Sequence, residues 1–167
     1  GRNDAGQLGG EDALDRSDAY AERGEGIPVV FLGDQRTAAW VTTGKDHTCV
    51  LLDDGSVKCW GENANGQLGL GNNQDQGDNA DEIANLATVD LGGAETIALE
   101  AGGNHTCAIL DTGKVKCWGN NTYGQLGLDN SGSSTHQGKA PDDMANLPIV
   151  NLGEEYEAVA LSLGEFH

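Results

Sequence analysis

The chain has 167 residues, with 9 Lys plus Arg against 27 Asp plus Glu and a formal charge of −18. That balance repels phosphate backbones and anionic bilayers, which excludes nucleic acid and membrane surfaces as direct partners. With 26 Gly and 3 Pro the composition suits many tight turns, and no apolar run approaches the roughly 20 residues of a membrane-spanning helix.

In chain order, the opening GRNDAGQLG (1–9) matches GENANGQLG (61–69) at 6 of 9 positions. It therefore reads as the tail of a repeat unit, and the chain as a piece of something longer. Residues 10–26 are a variable stretch, with a short helical turn expected over 12–23. FLG, ending at Gly33, then leads into a small-residue strand, RTAAWVTTGKDH (36–47).

Next comes HTCVLLDDGSVKCWG (47–61). Cys49, Leu51, Val57 and Cys59 alternate onto one face, with Val50, Leu52, Lys58 and Trp60 on the other, which is strand periodicity. The three loop residues Asp53-Asp54-Gly55 fit a type I turn closed by a left-handed glycine. That register sets Leu52 opposite Ser56 and Cys49 opposite Cys59, at a non-hydrogen-bonded site where Cα atoms lie about 4.5 Å apart. A disulfide accepts that distance, and closing so short a loop stabilises it by about 2–3 kcal/mol. Cys107 and Cys117 flank Asp111-Thr112-Gly113 in the same way. Two cross-strand disulfides are the expectation, and reduced buried thiols the alternative. Zinc fits poorly, because C-x9-C lacks knuckle spacing. Disulfides imply an oxidising compartment, so extracellular or cell-surface placement (the periplasm included) is expected, with the cytoplasm as the alternative.

Residues 47–70 and 105–128 agree at 17 of 24 positions. VDLG (89–92) with ETIALEAGGNH (95–105), and VNLG (150–153) with YEAVALSLGEFH (156–167), repeat the FLG-plus-strand piece at a period of about 58–62 residues. The units run 1–9, 10–69, 70–127 and 128–167, the last incomplete. Recurring strands at this spacing imply an all-β chain of antiparallel sheets arranged as a β-propeller.

The string G-x-x-H-T-x-x-L-x-x-x-G-x-V-x-x-W-G, followed by G-x-N-x-x-G-Q-L-G, resembles the repeat of the regulator of chromosome condensation superfamily. The form here is a cysteine-containing, bacterial-type variant, and the superfamily includes a secreted β-lactamase-inhibitory protein. The resemblance implies seven four-stranded blades, of which this chain would supply two complete ones and a partial one. Such an open arc leaves edges uncovered, so marginal stability is expected for the fragment alone.

The repeated His47 and His105 read as structural hydrogen-bonding residues rather than catalytic ones. Trp60 and Trp118 read as fillers between sheets. Gln67, Leu68, Gln125 and Leu126 sit in a glycine-framed loop expected to plug a sheet junction. His136 stands outside the pattern with no role read from its neighbours. Three tryptophans, two at repeat positions, give no clustered array for light sensing.

No nucleophile elbow, zinc-protease helix or phosphate loop occurs, so no enzyme, cofactor or metal site is assigned. Segments 10–26, 71–84 and 129–144 vary between units and emerge on one side, the usual place for a protein-binding surface. Solvated connection is the plain alternative. Their acids Asp75, Asp78, Asp81, Glu82, Asp142 and Asp143 are the candidate contacts. Calcium is left open only weakly, since neither loop matches an EF-hand pattern. The functional expectation is a non-enzymatic, secreted or surface module that binds a protein, inhibitory or adhesive. The alternative is an intracellular guanine-nucleotide-exchange scaffold.

Overall fold

The computed structural model describes residues 1–16, 29–129, 131–132 and 135–167. Most of the first variable stretch, including residues 17–23 of the helical turn expected over 12–23, lies outside the described residues.

Two antiparallel three-stranded sheets make up the ordered frame: β1 (Ala38–Thr43), β2 (His47–Leu52) and β3 (Val57–Gly61), then β4 (Thr96–Ala101), β5 (His105–Leu110) and β6 (Val115–Gly119). Each sheet runs in sequence order. Both hairpins have the register that alternation and turn length demand. Leu52 N–H bonds the Ser56 carbonyl at 2.9 Å and Leu110 N–H the Lys114 carbonyl at 2.8 Å. Cys49 then pairs with Cys59, and Cys107 with Cys117. Both pairs are disulfide-bonded, with Cα atoms 4.1 Å apart. The glycine closing each turn has φ of 77° (Gly55) and 71° (Gly113), a region that side chains with a Cβ rarely enter.

The blades implied by the resemblance have four strands; here the outer position is reduced. Gly61 forms one isolated bridge with Gln76, and Gly119 one with Gln137. Farther along, Val89 N–H bonds the Val57 carbonyl and Val150 N–H the Val115 carbonyl, each at 2.8 Å. Two contacts rather than a ladder thus cover the β3 and β6 edges. In the third unit the expected strand over 156–163 pairs with no ladder partner among the described residues. Its ends still repeat the pattern: Ala158 N–H reaches the Gly113 carbonyl, and Gly164 N–H the His167 carbonyl.

Both faces of each hairpin are buried. Cys49, Leu51, Val57 and Cys59 pack in one cluster with Leu99, Ala108, Leu110 and Trp118 of the second sheet. Val50, Leu52 and Trp60 form a second cluster with Ile83 and Leu86. Trp118, fully buried, thus fills the gap between consecutive sheets.

The junction is fixed by polar bonds as well. The Gln67 carbonyl accepts the Thr106 hydroxyl and the Trp118 indole N–H, both at 3.0 Å. One unit earlier the Gln7 carbonyl accepts Thr48 at 2.8 Å and Trp60 at 3.1 Å. Because Thr106 spends its hydroxyl proton on Gln67, its oxygen is left to accept from His47 Nε2, 3.0 Å away. His47 is therefore the neutral Nε2–H tautomer with a bare, buried Nδ1. Burial pushes its pKa down to about 3, with His105 adding in the same direction. Burial lowers His105 too, while the His167 backbone pulls weakly the other way.

Unfolded histidine binds a proton near pH 6.5, whereas folded His47 stays neutral until about pH 3. Between those values the unfolded state holds the extra proton, so the His47 contribution to stability falls as pH falls, by up to about 1.4 kcal/mol per pH unit. In urea titrations at about pH 6 and about pH 5, the gap between the unsubstituted protein and His47→Gln should therefore narrow by about 1 kcal/mol. A gap that does not change with pH contradicts a neutral, buried His47.

Candidate functional site

The glycine-framed loop is organised by an asparagine that the sequence reading passed over. Asn63 is fully buried. Its Oδ1 accepts the Leu68 N–H at 3.0 Å, while its Nδ2 donates to the Asn72 carbonyl and Oδ1 at 3.0 and 3.1 Å. Its own N–H goes to Asp75 Oδ1 at 2.8 Å. Asn3 repeats the set, bonding Leu8, Asp12 and Asp15. Asn121 binds Leu126 N–H through Oδ1, Thr135 through Nδ2, and His136 Nδ1 through its N–H at 3.0 Å. One buried amide thus ties each repeated loop to the variable segment that follows it, and each amide is satisfied, as burial requires.

Gln67 and Gln125 turn their side chains inward on the same loop: their Oε1 atoms accept the N–H of Asn65 and Tyr123, both at 2.9 Å. It is the Gln67 main-chain carbonyl that reaches the next sheet. Leu68 and Leu126 are fully buried beneath their loops. At Gly69, φ is 68° and a Cβ would lie 2.9 Å from Trp118 Nε1, so the loop can approach the ring only as glycine.

This arrangement reassigns several of the candidate acids. Asp75 accepts the Asn63 amide. Glu82 Oε2 accepts the N–H of Gly77 and Asn79 at 2.7 and 3.1 Å. Asp143 Oδ2 does the same for Lys139 and Ala140 at 2.9 and 2.8 Å. These three fold their own loops. Burial works against ionisation of Glu82, but the amides of Asn79 and Gly77 outweigh it and hold its pKa below the ordinary value. Asp78 is raised, first by burial and then by Glu82. Asp81 and Asp142 remain exposed, with their carbonyls capping Asn85 and Asn146. Among the described residues no three His, Cys, Asp or Glu side chains converge as a metal site needs.

His136, given no role by its neighbours in sequence, stands where the other units place Asp15 and Asp75. Burial and then Lys139 lower its pKa, which keeps Nδ1 free to accept. The bridges Gly61↔Gln76 and Gly119↔Gln137 anchor both described variable segments at one end of successive sheets. Gly71 N–H joins them by bonding the Gly138 carbonyl at 3.0 Å.

Family models for the regulator of chromosome condensation (RCC1) repeat match residues 41–67, 97–125 and 112–167. The chain belongs to that repeat family. It is 31% identical to the ultraviolet-B receptor UVR8 of Arabidopsis thaliana over 170 aligned residues, covering 100% of this chain and 35% of that protein. Against the X-linked retinitis pigmentosa GTPase regulator of Mus musculus it is 40% identical over 87 residues, 52% of this chain and 8% of that protein. The structure of yeast RCC1 (Prp20), solved with Kap60 bound, superposes with a TM-score of 0.59 at 20% identity, covering 83% of this chain and 27% of that one. The chain thus spans about a third or less of these relatives' lengths and folds as part of a repeat-family β-propeller.

Because Asp15 and Asp75 make the bond that His136 makes, His136→Asp should keep the Asn121 amide protected from hydrogen exchange. His136→Leu should raise its exchange rate at least about tenfold, the worth of one buried bond. Equal exchange in both variants contradicts the equivalence.

Proposed function

We propose that this propeller segment is a non-enzymatic protein-binding module, exported to an oxidising compartment, that takes its partner on the face carrying 71–84 and 129–144. The observation that carries the reading is the division of labour within each unit. Repeated residues such as His47, Asn63 and the Gln67 carbonyl are spent on internal bonds. The described parts of 71–84 and 129–144, which differ between units, are held at one end of successive sheets through Gln76 and Gln137. A rigid frame presenting unlike loops side by side suits recognition of another protein. Asp81, Asp129 and Asp142 are exposed on these segments, so a partner with basic groups is favoured. All four cysteines are paired and buried, which supports export.

A second reading, an intracellular regulatory scaffold of the exchange-factor kind, is favoured by the similarity to the mouse GTPase regulator. Kap60 bound to the yeast relative suits either reading, since both require a docked protein.

One preparation separates them. Photo-cross-linking residues at Asn73 and Ala140, in the intact protein within its own cells alkylated before lysis, should capture the same partner from both loops and leave all four cysteines unmodified. Different proteins at each loop, or none, refute the shared face. Four alkylated thiols favour the intracellular scaffold.

A further inference from the structure

Between the two described variable segments lies a cavity of about 320 Å³, lined by Asn72 and Gln76 on one side and by Pro141, Met144 and Ala145 on the other, with Gly71 beside them. Its size falls within the roughly 300–1,000 Å³ of small-group clefts. The preceding unit shows what the same place holds when it is filled.

There the turn over 81–86 has Asn85 N–H on the Asp81 carbonyl and Leu86 N–H on that of Ile83, both at 3.2 Å. The two amides left over, of Ile83 and Ala84, both donate to Glu11 Oε1, at 3.1 and 3.3 Å. One carboxylate oxygen thus gathers two successive N–H groups, an arrangement by which turns hold anions.

One unit on, the turn repeats bond for bond. Asn146 N–H reaches the Asp142 carbonyl at 3.1 Å and Leu147 N–H that of Met144 at 3.2 Å. The Asn85 and Asn146 side chains also donate alike, to the Asp81 and Asp142 carbonyls. The N–H groups of Met144 and Ala145 are therefore aimed together as those of Ile83 and Ala84 are. Neither has a hydrogen-bond partner among the described residues.

The missing acceptor is traced to one position. Asp12 and Asn72 hold the same place in the repeated loop, each accepting from its buried asparagine. The residue before it is Glu11 in one unit and Gly71 in the next, both left-handed, with φ of 57° and 68°. A Cβ on Gly71 would lie 3.2 Å from Pro141 Cα, on the side of the second turn. Acids nearby do not bar an anion, since Glu11 sits on amides that directly follow Asp81 and Glu82.

We infer that this cavity takes a carboxylate of the docked protein, from an acidic side chain or a C-terminus, on the N–H groups of Met144 and Ala145. Hydrogen bonds from amides to an ionised acceptor are the stronger kind. The inference rests on the reading that 71–84 and 129–144 face a partner, whose basic groups meet the exposed aspartates while one acid enters between the segments. Small carboxylates are measured without that partner, so their failure to bind leaves the docking face standing, and failure of the cross-linking leaves this site standing.

The test is an NMR titration of the intact protein, isotope-labelled on methionine and alanine, with acetyl-Gly-Glu-Gly-amide and with acetyl-Gly-Gly-Gly as its free acid. The glutamine counterpart of the first peptide is the comparator. Saturable downfield shifts of the Met144 and Ala145 amide protons are expected with at least one carboxylate, at roughly millimolar Kd, and none with glutamine; the tighter of the two peptides identifies the source. Gly71→Glu should move both amides downfield without peptide and weaken peptide binding at least about tenfold. Glu11→Ala should open the first site, adding a saturable shift at Ala84. Equal shifts with the glutamine peptide, no saturable shift with either carboxylate, full binding by Gly71→Glu, or no response at Ala84 in Glu11→Ala would each overturn the proposal.

Discussion

A single main-chain carbonyl at each junction holds this molecule together: that of Gln67, which receives a hydroxyl and an indole N–H from the following hairpin. Apolar contact between flat sheets is non-directional and would allow one blade to slide on the next. Two donors meeting at one oxygen remove that freedom. The carbonyl is itself aimed by the loop around it, which Asn63 holds from within and Gly69 allows to lie against the Trp118 ring. Its strength comes from being dry, since Thr106 and Trp118 are fully buried and an unmet donor there would be costly.

The other features follow from that junction. Thr106 donates to Gln67, so His47 must donate to Thr106, which keeps its ring neutral. The disulfides hold each hairpin at the register that presents Thr106 and Trp118 on neighbouring positions. Asn63 and Asn121 extend the order outward by binding into the variable segments, at Asn72 and Asp75 and at Thr135 and His136, and acids of those segments then serve as acceptors for turn amides. Surface charge alone would suggest an acidic face spread over the loops. The carboxylates that remain unspent are fewer.

Hairpin register was readable from the sequence because side-chain alternation, a three-residue turn and a closing glycine all point to one pairing. Burial of Trp60 and Trp118 was readable from their repeat position. The buried asparagines were not, because asparagine beside glycine reads as an ordinary turn former, and only the fold reveals that Asn63 faces inward. His136 escaped for a different reason: its loop spans 15 residues from Asn121, where Asn63 to Asp75 and Asn3 to Asp15 each span 12. That insertion hides the alignment with aspartate. The reduced outer strand left no alternation to read, and Asp75, Glu82 and Asp143 looked free because their amide donors are brought to them by the turn.

The junction carbonyl is tested most directly by a double-mutant cycle between Thr106→Val and Trp118→Phe, read from urea unfolding. Each change removes one donor to the Gln67 oxygen while keeping most of the apolar volume. Donors sharing one acceptor should give non-additive costs, with a coupling of about 0.5–1.5 kcal/mol. Additivity within about 0.3 kcal/mol would mean that the two side chains act independently and that the blades are aligned by apolar packing alone.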